Sequence, residues 1–237
     1  MKFALYGGKR VEAEATLKGA VCRKCNAEVI AKCGDIKIHH WAHKSKRKCD
    51  HWWENETQWH REWKNEFPKD WQEVIQYSET GEKHVADVKT PKGLVVEFQH
   101  SPIKPEEILA RNNFYKNIVW VVDGKRRKTD EKRFEEVLNP ASWAWKYWDN
   151  SRLLRDWSSI QKPVFFDFGK PKLYGILEGE IFKFDKKDFI IEVKEGIIND
   201  RFNDFIDSVL HKRHRKKLEK RVQNEKRTFA SVIKRGY

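Results

Sequence analysis

The chain has 237 residues, 36% of them charged, and a mean hydropathy of −0.85, yet it carries 11 Trp and 14 Phe. Disordered chains lack aromatics, so this is a folded protein with a very polar surface, long enough for one sizeable domain or two small ones. The net charge is +13, of which His211 to Tyr237 contributes +9 through 11 Lys and Arg against 2 Glu. A basic, aromatic-rich protein points to a polyanionic partner, most simply nucleic acid. No apolar run approaches the ~20 residues needed to span a bilayer, and Phe3 to Tyr6 is too short for the apolar core of a signal peptide. A cytoplasmic location without a membrane partner is expected, with the four Cys as thiols or metal ligands rather than disulfides.

Residues 1–50 read as a small module. Lys2 to Tyr6 and Arg10 to Thr16 are short strand-like runs around Gly7-Gly8, followed by Cys22-Arg-Lys-Cys25. Two further strand-like pieces, Glu28 to Lys32 and Ile36 to His40, lead into His39-His40-Trp41-Ala42-His43. A C-x2-C turn brings two thiolates together, and a second pair across a hairpin completes a tetrahedral zinc site. The predicted ligands are Cys22, Cys25, His40 and His43, with His39, Cys33 and Cys49 in reserve. Four protein ligands make a structural zinc, which folds a module too small to stand alone.

Trp52 to Phe67 predicts a helix stopped by Pro68, with Glu56, His60 and Lys64 aligned at i, i+4 and i+8. Those polar groups either face the interior with partners or form a surface ladder of paired charges. Trp71 to Ser78 predicts a strand. His84 to Ser101 predicts a β-hairpin whose three-residue loop Pro91-Lys92-Gly93 pairs Thr90 with Leu94 and, further out, Asp87 with Glu97. One hairpin face holds Ala86, Val88, Leu94, Val96 and Phe98; the other holds Asp87, Lys89, Glu97 and Gln99. Two carboxylates directly opposite repel, and a divalent cation between them reverses the sign. An ordinary solvated hairpin face is the alternative.

Pro105 opens a predicted helix running to about Asn117, with Arg111 and Tyr115 at i, i+4. Ile118 to Val122 follows as a buried strand. Beyond lie a basic loop (Gly124 to Asp130) and a short helix (Glu131 to Leu138). Trp143, Trp145 and Trp148 then read either as core or as a base-stacking strip. Val164 to Phe168, Lys172 to Leu177, Glu180 to Asp185 and Phe189 to Val193 predict a β-meander. Phe202 to Leu218 predicts a helix ending in the basic run Lys212, Arg213, Arg215, Lys216 and Lys217, suited to phosphate contact.

The predicted order helix, strand, strand, strand, helix, strand resembles the core of the restriction-endonuclease-like fold. The series Cys22-x2-Cys25, His40-Trp-Ala-His43, Glu56-x3-His60-x3-Lys64, Ala86-Asp87-Val88, Glu97-Phe-Gln99-x-Ser101 and Arg111-x3-Tyr115 is similar to the CoiA-like competence-protein nuclease family. The resemblance covers roughly residues 1–125. It implies an α/β protein with an α+β mixed sheet, in which a zinc-ribbon-like module (1–50) is joined to a PD-(D/E)XK-like nuclease core (51–125); the residues beyond read as a β-rich extension (126–198) and a basic C-terminal helix (199–237). It further implies Mg²⁺ or Mn²⁺ held by Asp87, Glu97 and Glu56, for metal-dependent hydrolysis of phosphodiesters, most simply in DNA. Gln99 stands where the wider superfamily has lysine, so the missing cation falls to Lys64 or to Lys89; His60 is an orienter, a proton shuttle or a satisfied core residue. Arg111 either clamps a phosphate or pairs with Glu106 or Glu107, and Tyr115 lies beside it. A non-catalytic zinc-containing nucleic-acid-binding protein and an RNA-processing nuclease are the other readings. A homodimer would suit double-strand cutting, with no motif to support it.

Overall fold

The computed structural model describes residues 1–45, 49–138, 152–158, 160–177 and 180–208, together with 211, 215 and 219. Trp143, Trp145 and Trp148 lie outside the described residues, as do Lys212, Arg213, Lys216 and Lys217. In chain order the first strands are β1 (Phe3–Tyr6) and β2 (Lys9–Glu12), then β3 (Val29–Lys32) and β4 (His40–His43), two antiparallel hairpins. The fourth strand begins where the sequence places the end of one. Ile36 is 97% exposed in the connecting loop, so the pairing partner of β3 is the stretch that contains buried Trp41.

Helix α1 (Gln58–Asn65) is shorter than its aromatic pattern suggests. Thr57 is its N-cap: the hydroxyl accepts the His60 N–H at 3.3 Å while the His60 ring accepts the Thr57 N–H. This reciprocal cap puts an imidazole where a Glu or Gln usually sits. Glu56 therefore precedes the helix rather than sharing a face with His60 and Lys64. The strands β5 (Gln72–Tyr77), β6 (Lys83–Lys89) and β7 (Val95–Gln99) follow, then α2 (Pro105–Tyr115) and β8 (Ile118–Asp123). The expected αβββαβ order is present.

After α3 (Asp130–Leu138) and α4 (Arg152–Ser158) come β9 (Val164–Asp167), β10 (Lys172–Leu177) and β11 (Glu180–Asp185). These join the core to make a seven-stranded mixed sheet ordered β11-β10-β9-β8-β7-β6-β5. Strands β7, β8 and β9 are mutually parallel and the remaining pairs are antiparallel. The fourth meander strand expected at Phe189–Val193 is instead part of helix α5 (Lys186–Glu195). The Asp185 carboxylate caps it by accepting the Lys187 N–H, Gly196 ends it at φ +70°, and buried Phe189, Ile190 and Val193 have helical spacing. Residues 198–208 are helical as well.

Helices cover both faces. One layer packs Trp59, Trp63 and Phe67 with the hairpin residues Val88, Leu94, Val96 and Phe98 and with Phe189 and Phe202. The other packs Ile108, Tyr115, Phe134, Leu154 and Trp157 against Trp120, Val122 and Phe166. This burial on both faces explains why β8 and β9 read as continuous apolar runs. Among the described residues no helix is long and apolar enough to cross a membrane.

Candidate active site and metal centre

The N-terminal module gathers four soft donors. Cys22 and Cys25 sit on a tight turn closed by Asn26 N–H to Cys22 O at 2.9 Å. Their thiols meet His43 and Cys49, with all four donor atoms within 4.8 Å of one another. Cys22 Sγ lies 3.7 Å from Cys49 Sγ, and Cys25 Sγ lies 3.4 Å from His43 Nε2. Tetrahedral zinc with Zn–S near ~2.3 Å and Zn–N near ~2.0 Å demands separations of about 3.5–3.8 Å, so the donor set fits. The hydrogen bond with Cys49 pulls the Cys22 thiol well below the usual thiol range and pushes Cys49 up. His40 is corrected: its Nδ1 faces Ile38 O at 2.9 Å, and Cys49 supplies the fourth donor. The reason is geometric. His40 and His43 are three apart on one strand, so their side chains leave opposite faces.

Asp50, next in the chain, ties this module to the sheet. It accepts from His84 Nδ1 at 2.8 Å, Lys24 Nζ at 2.9 Å and the N–H groups of Trp52 and Val85. Burial opposes its ionisation, but His84 and Lys24 hold the carboxyl well below its ordinary range. Asp50, His51 and His84 also bring three potential metal donors together. Asp50 is already satisfied by Lys24 and His84, so we read the group as a staple.

The hairpin has the anticipated register. Thr90 N–H bonds to Leu94 O at 2.9 Å, Gly93 takes φ +84°, and Val88 pairs with Val96. Beyond that pair the ladder opens. The Asp87 N–H donates to Glu97 Oε1 at 3.1 Å, and the Phe98 N–H donates to Asp87 Oδ2 at 3.0 Å. Each acid thus accepts a backbone N–H from the other strand. Burial, and for Glu97 the neighbouring Asp87 charge, push both carboxyls above their ordinary range despite Lys64 and Arg111 nearby. Two carboxylates held together against their own repulsion are the donor set a hard divalent cation takes.

Around this pair the structure places residues that the sequence pattern identified and others that it missed. Arg111 is buried and donates to Glu97 Oε2 at 2.9 Å, to Glu107 and to Trp52 O, which matches the ion-pair reading of this residue. Tyr115 is buried beside Trp52 and Phe114. Lys64, also buried, contacts Glu56 at 2.5 Å and Glu73 at 3.0 Å, and the two acids hold its ammonium charged against burial. Glu56 is further held by Arg61 through two bonds of 2.9–3.0 Å. Its carboxylate is therefore a counter-ion to two cations. Lys89 donates to Gln76, away from this group. Arg215 is exposed, 3.9 Å from Glu219.

Glu54 and Glu73 carried no sequence signal. Glu54 accepts the His100 and Ser101 N–H groups, takes Gln99 Nε2 at 2.8 Å and lies 2.6 Å from His60 Nε2. Since the Thr57 N–H donates to His60 Nδ1, the proton sits on Nε2, aimed at Glu54 and at Phe98 O. Burial disfavours the imidazolium, yet Glu54 and Asp87 raise the His60 pKa overall. Gln99 spends its amide N–H groups on Glu54 and Ser101 O, which fixes its orientation and leaves Oε1 buried without a hydrogen-bond partner among the described residues. Such an atom is suited to a water or a ligand hydroxyl. Glu73 adopts φ +47° at the second position of β5, and its carboxylate reaches Lys64 and the N–H groups of Lys2 and Phe3.

A nuclease-like mixed sheet with paired acids on an opened hairpin, joined to a Cys/His metal module, defines the class. The model of the N-terminal domain of competence protein CoiA matches residues 8–51, and that of the CoiA nuclease-like domain matches residues 83–157. The chain belongs to the CoiA-like competence protein family. No curated protein and no solved structure matches it. The two matched segments leave 52–82 between them, the stretch that supplies Glu54, His60, Lys64 and Glu73 to the site.

Proposed function

We propose that the protein is a metal-dependent nuclease that hydrolyses phosphodiester bonds, with DNA as the substrate. The observation that carries this reading is the Asp87–Glu97 pair: two largely buried acids on neighbouring strands, with Glu97 accepting the Asp87 N–H at 3.1 Å and Asp87 accepting the Phe98 N–H at 3.0 Å. Bound there, Mg²⁺ or Mn²⁺ would lower the pKa of a water and stabilise charge on the phosphorus centre. The chain's own residues would orient the reactants: Gln99 Oε1 accepts from the water, His60 and Glu54 fix Gln99 to Ser101, and Lys64 supplies a nearby positive field. Zinc at Cys22, Cys25, His43 and Cys49 is structural in this scheme. The basic C-terminal residues attract the backbone of the nucleic acid.

The test is incubation of plasmid and oligonucleotides with Mg²⁺, Mn²⁺ or neither, for wild type, Asp87→Ala and Glu97→Ala. Cleavage that needs both metal and carboxylates is expected; absence of such cleavage on every substrate would sink the proposal. One observation favours a second reading, a non-catalytic zinc-containing nucleic-acid-binding protein. Lys64 is already paired with Glu56 and Glu73, and Gln99 brings no charge to the acids.

A further inference from the structure

The Asp87–Glu97 pair lies in a cavity of about 310 Å³ with two unlike walls. The core supplies one. The N-terminal module supplies the other, through Phe3, the Cys22–Lys24 turn and the strand around Trp41. Glu97 is 3% exposed and Asp87 is half-buried, and both line this space. A cavity in this size class encloses a group about as large as a nucleotide. An intact duplex carries its phosphates on the outside of a stiff, broad cylinder and has no means of lowering one between these walls. An unpaired strand has.

Two lining residues have the right chemistry for such a strand. Trp52 turns inward and stacks on His84 with ring centroids 3.3 Å apart, whereas Trp53 is 41% exposed at the cavity and makes no aromatic contact among the described residues. A flat exposed ring beside a phosphodiester site is a stacking platform for a base. The cations divide in the same way. Lys24, Lys64 and Arg111 each face a carboxylate, while Arg23 donates to the carbonyl oxygen of Glu73 at 2.7 Å and has no carboxylate partner among the described residues. Arg23 lies between the metal-binding Cys22 and Cys25, so the metal fixes its position.

We propose that the cavity binds a single unpaired nucleic-acid strand, with Trp53 stacked on a base and Arg23 on a phosphate. The N-terminal module is then part of the substrate site as well as a folding unit. The reading of Asp87 and Glu97 as hydrolytic rests on the function proposed above; the binding does not.

The experiment is fluorescence anisotropy with full-length protein, Ca²⁺ in place of Mg²⁺, and a fluorescein-labelled 12-mer, unpaired or annealed to its complement. Residues 211–237 attract both forms, so the affinity ratio is the quantity to read. The unpaired strand is expected to bind about tenfold tighter or more. Trp53→Ala should weaken that binding about tenfold while Trp53→Phe largely retains it. Arg23→Gln should weaken it and lower the salt slope by about one phosphate contact. Zinc content and melting temperature confirm that each variant is folded. Equal affinity for the duplex, or wild-type binding by folded Trp53→Ala and Arg23→Gln, overturns the proposal even if the protein cleaves. Loss of cleavage in Asp87→Asn with the strand preference intact supports it, whereas absence of cleavage in wild type with that preference intact removes only the hydrolytic reading.

Discussion

Glu97 accepts the backbone N–H of Asp87 at 3.1 Å, so one acid of the facing pair holds the main chain of the other. A carboxylate in this position is both ligand and scaffold. Its electrostatics should be visible before any chemistry is measured. Both carboxyls titrate above their unfolded values, so in metal-free protein the folded state binds more protons than the unfolded state between those values. Their contribution to stability therefore falls as pH rises from the unfolded carboxylate range through the raised folded pKa values. Asp87→Asn keeps an acceptor for the Phe98 N–H and removes the repulsion. It should melt about 2–4 °C higher than wild type at pH 8 without divalent metal, roughly 1 kcal/mol for a chain of this size. The gain should vanish at pH 5 or with saturating Mg²⁺. A thermal melt at the two pH values decides it.

The zinc ligand set separates cleanly by substitution. Cys49→Ser should lower bound zinc from about one equivalent to near zero, and His40→Ala should retain it. Inductively coupled plasma measurement on the purified variants checks both. Zinc retained by Cys49→Ser and lost by His40→Ala would reverse the assignment.

Lys64 bridges Glu56 and Glu73 in the interior. Lys64→Ala leaves two buried carboxylates facing each other and is expected to cost about 3–5 kcal/mol in denaturant unfolding, the range for breaking a buried pair. If stability changes by less than about 1 kcal/mol, the pairing described is not the one present in solution.

Glu54 acts through Gln99, His100 and Ser101, and should behave as a positioning residue. Glu54→Ala is expected to reduce metal-dependent turnover about 10–100-fold, as loss of outer-shell partners commonly does. KM should change little, and the pH profile should shift downward as His60 loses its anionic partner. An unchanged profile with unchanged turnover would remove Glu54 from the site.

The hairpin register was readable because Thr90-Pro-Lys-Gly93 has turn chemistry that admits few alternatives, and the αβββαβ order follows from strong strand runs and two prolines. Glu54 and Glu73 were not readable. Each acts through backbone amides of a distant segment, and backbone donors leave no mark in the sequence. The exchange of His40 for Cys49 depends on where a four-residue strand begins, a matter of two or three positions that composition does not fix. The true start of α1 was hidden by His60 in a capping role normally filled by Glu or Gln. Helix α5 was missed for a different reason: the β-branched pair Ile190-Ile191 outweighed the cap at Asp185 and the stop at Gly196.

Strand β5 is the last in its sheet, and Arg10 and Arg23 of the N-terminal module donate to the carbonyls of Lys69, just before it, and of Gln72 and Glu73 at its start. Those arginines occupy acceptors that another strand would otherwise find. Residues 51–237 expressed alone would offer that row of carbonyls to the next molecule. Such a truncation is expected to run as soluble oligomers or precipitate, so self-association would need to be excluded before any loss of activity in it is read as loss of chemistry.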